Sequence, residues 1–266
     1  MILVRACEGH DEYEACVQLQ VETWGYDASD VIPRKVFIVA RKIGGQIIGA
    51  FDTGLPNAQP RGGPESLVGF VFSLPGIKPS DSSSGAGPQP YLHSHMLAVR
   101  EPWRNRGLGT ELKLQQRHEA LERGIRLIEW TFDPLEIRNA YLNIHKLGAE
   151  VRRHYIDFYG VSSSRLQGGL PTDRLVAEWK LDSPRVQAIL AGGPHEKFEV
   201  IERIQVPAAV GDWKASGTHR HRAREVQQQN RNRFQKAFAA GLAVLGYTRD
   251  EEGNGVYELG FPHKGT

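Results

Sequence analysis

The chain has 266 residues, of which 40% are apolar and 24% are charged, and its formal net charge is +2. This is the composition of a globular protein with a sizeable core, and so weak a charge gives no support to nucleic-acid binding. No apolar run approaches the ~20 residues that a membrane span requires. The amino-terminal residues turn acidic too early for a signal peptide, so we expect a cytoplasmic protein without a membrane partner.

Of the two cysteines, Cys7 directly follows the first predicted strand and Cys16 lies in the first predicted helix. Nothing around them has the spacing of a metal site, and two cysteines do not form a disulfide framework. We therefore expect two free thiols and no bound metal.

Periodicity and the positions of glycine and proline predict a mixed α/β chain. In the first half the predicted elements are strand 2–6, helix 11–22, strands 36–42 and 46–51 joined at Gly44-Gly45 as a hairpin, strands 67–74 and 91–99, helix 107–124 and strand 127–132. In the second half they are helix 134–147, strands 151–159 and 175–181, strand 198–206, helix 222–245 with an apolar stripe of Phe234, Phe238 and Leu242, and a hairpin turning at Asn254-Gly255.

The order of these elements predicts a mixed sheet covered by helices. The strand, helix, strand unit at 91–133 implies that its two strands lie parallel. Two segments rich in Gly, Pro and Ser, 52–66 and 75–90, are either functional lids or surface loops. The sequence becomes polar after about residue 182. This change in composition predicts a main domain over 1–181 and a carboxy-terminal extension over 182–266.

The segment "RNRGLGT" after strand 91–99 is typical of an anion-binding turn. Glycines permit close approach of the backbone, and the N–H groups of the first helical turn favour negative charge. The turn is not a P-loop, because no Gly-Lys-Ser/Thr follows, and Leu112 occupies the place of the third glycine of a dinucleotide fingerprint. A tight strand-to-helix turn with solvated arginines is the alternative interpretation.

The strand ending in "MLAV", this turn, and the later strand "LIEWTF" together resemble the acyl-CoA-binding core of the GNAT superfamily of N-acyltransferases. The resemblance implies a mixed, largely antiparallel sheet whose central parallel strands splay apart, with acetyl-CoA or succinyl-CoA as acyl donor. It also implies a set of residues that bind the donor through its pyrophosphate and pantetheine: Leu97, Ala98, Val99, Arg104, Asn105, Arg106, Gly107, Leu108, Gly109, Thr110, Asn139 and Asn143.

His93 and His95 share one face of their strand, because residues two apart on a strand point the same way. An imidazole titrates near pH ~6.5 and can take the proton that an amine must lose before it attacks a thioester. The pattern His-x-His-x-Leu-Ala-Val resembles the equivalent strand of serotonin N-acetyltransferase, which implies proton transfer through water. Rings that merely line a polar cleft are the alternative.

The sequence gives a weaker indication of the general acid, the group that would donate a proton to the departing thiolate, than it gives of the base. Many GNAT enzymes offer the departing thiolate a tyrosine four residues before the glycine that ends the later helix, and here that position is Ile144. Tyr141 lies about one helical turn earlier on a similar face and is the candidate acid. Departure of the thiolate without an acid is the alternative, and the resemblance implies that backbone N–H groups near Leu97 meet the oxyanion.

The segments "WTFDPLEIRNAYLNIHKLGA" and "GGLPTDRLVAEW" resemble a narrower bacterial group of predicted acetyltransferases, some of which succinylate D-amino acids. That resemblance implies a cation for a carboxylate, with Arg174 and Arg138 as candidates, since Arg grips carboxylates bidentately. A local salt bridge with Asp173 or Glu178 is the alternative for Arg174. Glu129 and Asp133 are candidates to hold an ammonium group, and structural hydrogen bonds are their alternative.

Together these residues predict an enzyme that moves an acetyl or succinyl group from CoA to a small-molecule primary amine, such as an amino acid. A non-catalytic acyl-CoA sensor, or an acyltransferase acting on a protein or tRNA, is the alternative. The basic segment 218–236 carries Phe234 on its apolar stripe, so we expect a solvated helix face and no nucleic-acid partner. The pattern leaves the oligomeric state open, including a homodimer.

Overall fold

The computed structural model describes residues 1–56, 58–79 and 87–262. It shows a mixed α/β fold with a largely antiparallel sheet and flanking helices, as predicted. The chain divides into two compact units, Met1–Glu129 and Trp130–Thr266. Within the described residues no helix is long and apolar enough to cross a bilayer. The predicted domain boundary at 181/182 stays a prediction.

The elements of the first unit are β1 (Ile2–Ala6), α1 (Gly9–Trp24), α2 (Arg34–Lys42), β2 (Gln46–Asp52), β3 (Leu67–Lys78), β4 (Gln89–Val99), α3 (Leu108–Glu122) and the start of β5 (Leu127–Phe132). The strands lie in chain order in the sheet, and neighbours pair antiparallel up to β4. The last pair, β4 and β5, is parallel as predicted, with Leu92 opposite Ile128 and His93 opposite Glu129.

Apolar side chains cover both faces of this sheet. On one face, Phe37 of α2 packs edge-on against Phe70 and Phe72, with ring centroids 6.1 and 4.9 Å apart. On the other face, Leu108 and Leu112 of α3 join the buried cluster of β2 and β3. The sheet therefore holds α3, and the turn that precedes it, in a fixed position.

The two cysteines lie in the first of these clusters and are buried and free, as predicted. The Sγ atoms of Cys7 and Cys16 are 3.9 Å apart. Burial raises the pKa of the Cys16 thiol well above its ordinary value, so at neutral pH it is protonated and packs as a small apolar side chain.

The prediction of a strand over 36–42 is wrong, because these residues belong to α2. Phe37 and Ala40 are fully buried at helical spacing, whereas Val39 between them is 55% exposed. The β-branched residues favoured a strand, but packing of Phe37 into the core decides the conformation, as tertiary context often does. The predicted hairpin at Gly44-Gly45 is therefore the end of a helix.

After the end of β5, the elements of the second unit are α4 (Ile137–Ala140), a π-helical segment (Tyr141–Lys146), β6 (Glu150–Tyr155), β7 (Arg174–Lys180), α5 (Pro184–Leu190), β8 (Glu202–Val206), α6 (Val210–Ala215), α7 (Arg220–Ala239), β9 (Ala243–Arg249) and β10 (Gly255–Gly260). The strand order is β7-β6-β9-β10-β8, with antiparallel pairing throughout.

Several predicted bounds in this unit are wrong. The helix predicted over 134–147 begins only at Ile137 and continues as the π-helical segment. The helix predicted over 222–245 ends at Ala239, since the apolar residues from Ala243 onward are buried as β9 and not as another helical turn. Leu242 therefore does not extend the stripe, although Phe234 is buried as expected.

A buried cluster of charges fixes the segment that follows β5. Lys214 of α6 donates from its Nζ to Asp133 Oδ2 and to Glu136 Oε1, both at 2.7 Å. Asp133 also accepts the backbone N–H of Leu135 at 2.8 Å. The Asp133 carboxylate therefore makes structural bonds, and the ammonium group that it holds is that of Lys214.

Candidate active site

The turn between β4 and α3 is exposed and contains two residues in the left-handed region of the backbone. Asn105 has a φ of 61° and Gly107 a φ of 86°. Gly107 directly precedes α3, and its carbonyl oxygen accepts the N–H of Thr110 at 2.9 Å. The N–H groups that precede Thr110 in this first turn have no helical acceptor and lie at the positive end of the helix dipole. The turn therefore has the geometry of an anion site.

The side chains around this turn divide into exposed and packed ones. Arg104 and Arg106 are exposed, and Arg104 Nε donates to the carbonyl oxygen of Val99 at 2.9 Å, which ties the turn to the end of β4. Leu108 is buried, and Leu97 and Val99 pack against its cluster. Of the remaining predicted donor-binding residues in this unit, Gly109 and Thr110 are half-buried and Ala98 is buried.

We expect Gly107→Ala to weaken acyl-CoA binding about tenfold, since a side chain at positive φ costs of order 1–2 kcal/mol and shifts the turn. Titration calorimetry with CoA measures the loss. The matched control is Gly124→Ala at the other end of α3, where φ is 74° and, as at Gly107, a Cβ atom would meet nothing within 4 Å. Equal losses of CoA affinity in both variants would contradict the assignment.

A β-bulge in β4 lies at the second histidine. Phe72 of β3 pairs with Met96, and the next residue, Ser73, pairs with Ser94, so that His95 is the extra residue. A bulge interrupts the ladder and re-aims the neighbouring groups, and bulges are common beside active sites. The alternation of residues in the sequence gave no sign of this irregularity.

The two imidazole rings lie side by side in the first unit. Their centroids are 6.1 Å apart, and the ring of His95 lies edge-on to Phe72 at 6.1 Å. Both histidines are half-buried. The two-residue spacing therefore places both rings together, as expected.

Burial keeps both histidines neutral at physiological pH. It lowers the pKa of His95 to about 4, with a further contribution from His93. The pKa of His93 is also lowered, mainly by burial and also by Lys113, while the carboxylate of Glu129 opposes the shift. A neutral imidazole can accept a proton, and His93 is the one with a neighbouring carboxylate to stabilise its charged form.

Glu129 is 5% exposed and lies opposite His93 in the parallel pair of β4 and β5. Its carboxylate forms a salt bridge with the ammonium group of Lys78, the last residue of β3. The sequence predicted that Glu129 could hold an ammonium group, and in this structure it holds one from the chain itself. Sequence reasoning missed Lys78, which lies in a segment predicted as a loop.

A buried lysine lies beside the histidine strand. Lys113 of α3 is 2% exposed, and its Nζ donates to Ser94 Oγ at 2.8 Å and to Gln116 Oε1 at 3.1 Å. Burial lowers the pKa of Lys113 well below its ordinary value. Ser94 lies between the two histidines, so this lysine ties α3 to the bulged part of β4. Nothing in the sequence pattern distinguished Lys113 from a solvated helical lysine.

In the second unit, the candidate acid Tyr141 lies in a stack of aromatic and cationic groups. Its ring stacks on His145 at 4.4 Å, and His145 stacks on His195 at the same distance. The guanidinium of Arg249 lies 5.4 Å from the Tyr141 centroid and the ammonium of Lys146 5.9 Å. The role of Tyr141 as an acid stays a prediction.

The two asparagines predicted to bind the pantetheine differ in exposure. Asn139 is exposed, as is its neighbour Arg138, whereas Asn143 is 4% exposed and lies in the π-helical segment. A π-helical turn shifts the register of the side chains that follow it, and such turns are frequent at functional sites. The roles of the three residues stay predictions.

Arg174 is held by uncharged groups. Its Nη1 donates to the backbone oxygen of Asp173 at 2.8 Å and its Nη2 to Gln167 Oε1 at 3.1 Å. Its guanidinium lies 5.3 Å from the centroid of Tyr159. The suggested carboxylate partners bind other cations: Asp173 accepts two bonds of 2.8 Å from Arg231, and Glu178 pairs with Arg153.

The two histidines of β4, followed by a glycine turn that opens α3, lie in the order expected of an acyltransferase of the acyl-CoA-binding class. A model of the acetyltransferase (GNAT) family matches residues 6–149, more than half of the sequence. The chain belongs to this family, and the predicted membership of the GNAT superfamily is confirmed.

Solved structures give the same fold. Arabidopsis thaliana NAA60 in complex with acetyl-CoA is 16% identical with a TM-score of 0.54, over 69% of this chain and 100% of that chain. The same enzyme in complex with a bisubstrate analogue is 17% identical with a TM-score of 0.52, over 67% and 97%. At this identity the likeness concerns the fold alone. A search of curated proteins found no match.

Proposed function

We propose that the protein transfers an acyl group from acyl-CoA directly to a primary amine, with His93 and His95 accepting the amine proton. The observation that carries the proposal is the pair of half-buried, neutral imidazole rings, 6.1 Å apart, on the bulged strand. Membership of the acetyltransferase family supports a CoA thioester as the donor.

The donor is assigned to the turn and the strand that leads into it. The exposed backbone at Asn105 and Gly107 and the first turn of α3 suit a pyrophosphate. Arg104 and Arg106 add positive charge to the same turn. The backbone of Leu97 to Val99 would bond the pantetheine arm.

The chemistry needs one proton acceptor and one leaving group. The ammonium form of the acceptor loses one proton to a histidine, directly or through water, and the neutral nitrogen attacks the thioester carbonyl. The C–N bond forms, the C–S bond breaks, and the nitrogen loses its second proton as the CoA thiolate leaves and is protonated through solvent. A base within hydrogen-bond reach contributes roughly 10²–10⁴-fold to such a step.

We propose acetyl or succinyl as the acyl group and an amino acid as the acceptor. The resemblance to the bacterial group that includes D-amino-acid N-succinyltransferases supports the succinyl alternative. A cation is then needed for a carboxylate, either of the acyl group or of the amino acid, and Arg138 and Arg174 are the predicted candidates. The exposed Arg138 suits a carboxylate from solvent better than Arg174, which is already bonded twice.

Thiol release by the purified protein tests the proposal. Acetyl-CoA and succinyl-CoA are each offered with D- and L-amino acids, simple amines, a peptide and tRNA. We expect release that requires both an acyl-CoA and an amine. CoA binding without release in every combination would contradict the proposal and favour an acyl-CoA sensor, whereas release with only the peptide or tRNA would favour a macromolecular acceptor.

A further inference from the structure

The salt bridge between Lys78 and Glu129 occupies a specific place in the first unit. Glu129 is the residue of β5 directly opposite His93, and the charge of its carboxylate acts on that ring. Lys78 reaches it from the end of β3, with its ammonium 5.6 Å from the centroid of Tyr91, two residues before His93. The ion pair thus lies beside the candidate base.

The two ends of this ion pair differ in their access to solvent. The side chain of Glu129 is 6% exposed and that of Lys78 is 31% exposed. The carboxylate therefore lies deep and next to His93, while the ammonium forms the outer end. A molecule that enters from solvent therefore meets the Lys78 ammonium first. It meets the Glu129 carboxylate deeper in the site, beside His93.

An α-amino acid has the charges that match this arrangement. Its ammonium group fits the Glu129 carboxylate, and its carboxylate fits the Lys78 ammonium, so that both charges of the protein keep a partner. An amine without a carboxylate would bind the Glu129 carboxylate and break its salt bridge with Lys78, which would then have no carboxylate partner. A hydrogen bond between charged groups contributes more to binding than one between neutral groups, so the two kinds of acceptor should differ in affinity by about tenfold or more.

We propose that the Lys78–Glu129 pair is the acceptor-recognition site and that it selects zwitterionic α-amino acids over simple amines. This inference rests on the proposed N-acyltransferase function and names its substrate class. Lys78 is the specificity-determining residue, which binds the acceptor carboxylate, and Glu129 holds the acceptor ammonium next to His93 before the proton is removed.

The experiment compares leucine, as each enantiomer, with 3-methylbutylamine, which is leucine without its carboxylate. Thiol release gives KM and kcat for the wild type, Lys78→Met and Lys78→Arg. We expect Lys78→Met to raise KM for leucine about tenfold or more and to leave KM for the amine unchanged or lower. Lys78→Arg keeps the charge and should retain the preference for leucine. Lys42→Met, at an exposed lysine of α2, is the matched control.

Two results would overturn the proposal. One is a wild type that does not prefer leucine to 3-methylbutylamine, and the other is a Lys78→Met variant in which KM rises equally for both, as a purely structural role predicts. Titration with CoA checks that each variant is folded.

If the wild type releases no thiol with any amine, the proposed function fails, and binding of leucine in the presence of CoA tests Lys78 separately. Calorimetric affinity that is about tenfold weaker in Lys78→Met supports the site. No leucine binding to the wild type, or equal affinity in the two proteins, contradicts it.

Discussion

Replacing His93 by glutamine should lower kcat/KM by roughly 10²–10⁴-fold while leaving acyl-CoA affinity unchanged, because the substitution removes a proton acceptor but keeps a polar side chain of similar size. The substitution His95→Gln should lower kcat/KM by a smaller factor. Burial lowers the pKa of His95 to about 4, which makes it a weak base, whereas Glu129 partly opposes the lowering at His93. Steady-state kinetics of the two variants, with calorimetry for CoA, measures the difference.

The pH profile gives an independent measure of the same residue. The base must be neutral, so kcat/KM should rise with pH through the pKa of His93, which is lowered from 6.5, and reach its plateau by neutral pH. The acidic limb should therefore lie below pH 6.5 and should be lost in His93→Gln. His118→Gln, at a histidine whose side chain is 65% exposed, is the control. A fully active His93→Gln variant would exclude this residue as the base.

Replacing Lys214 by methionine should destabilise the protein by about 3–5 kcal/mol, because it leaves two carboxylates without the ammonium group that they share. The Lys214 side chain is 4% exposed and that of Asp133 is 9% exposed, so solvent cannot replace the bond to Asp133, whereas Glu136, at 35% exposed, regains contact with water. Burial alone would lower the pKa of Lys214, but Asp133 and Glu136 outweigh it and hold that pKa above its ordinary value. Thermal unfolding measures the loss.

The raised pKa of Lys214 also fixes the pH dependence of this loss. Its contribution is fully present below the unfolded value of 10.5 and disappears only as the pH rises through the higher folded value. The difference in thermal midpoint between wild type and Lys214→Met should thus stay constant from pH 7 to pH 9. Lys236→Met, at an exposed lysine of α7, should unfold like the wild type. A similar midpoint for Lys214→Met would show that the buried cluster contributes little.

The sequence predicted correctly those elements whose bounds are set by residues within the element or at its ends. Strand β5 was predicted at its observed bounds, since the bounded apolar run "LIEWTF" has few alternatives. Helix α3 was predicted from the glycines at its two ends, both of which have positive φ in the structure. The motif from His93 to Thr110 identified the GNAT family for the same reason: its residues are contiguous, so the chain itself presents them together.

Other features depended on packing between distant segments, which a single sequence does not display. Residues 36–42 form a helix because Phe37 packs on the Phe70 and Phe72 rings of β3. The bulge at His95 depends on the register between β3 and β4. No local pattern records that register.

The charged groups of the candidate site show the same contrast between what the sequence indicates and what only the fold brings together. The sequence by itself determined which groups are candidates for the chemistry, two histidines and one carboxylate, Glu129, because residue type and spacing carry that information. Only the tertiary structure decided that Glu129 binds Lys78, 51 residues away, since a salt bridge forms between groups that the fold brings together. It also decided that the histidines are neutral, because burial, which lowers their pKa, is a property of the folded chain.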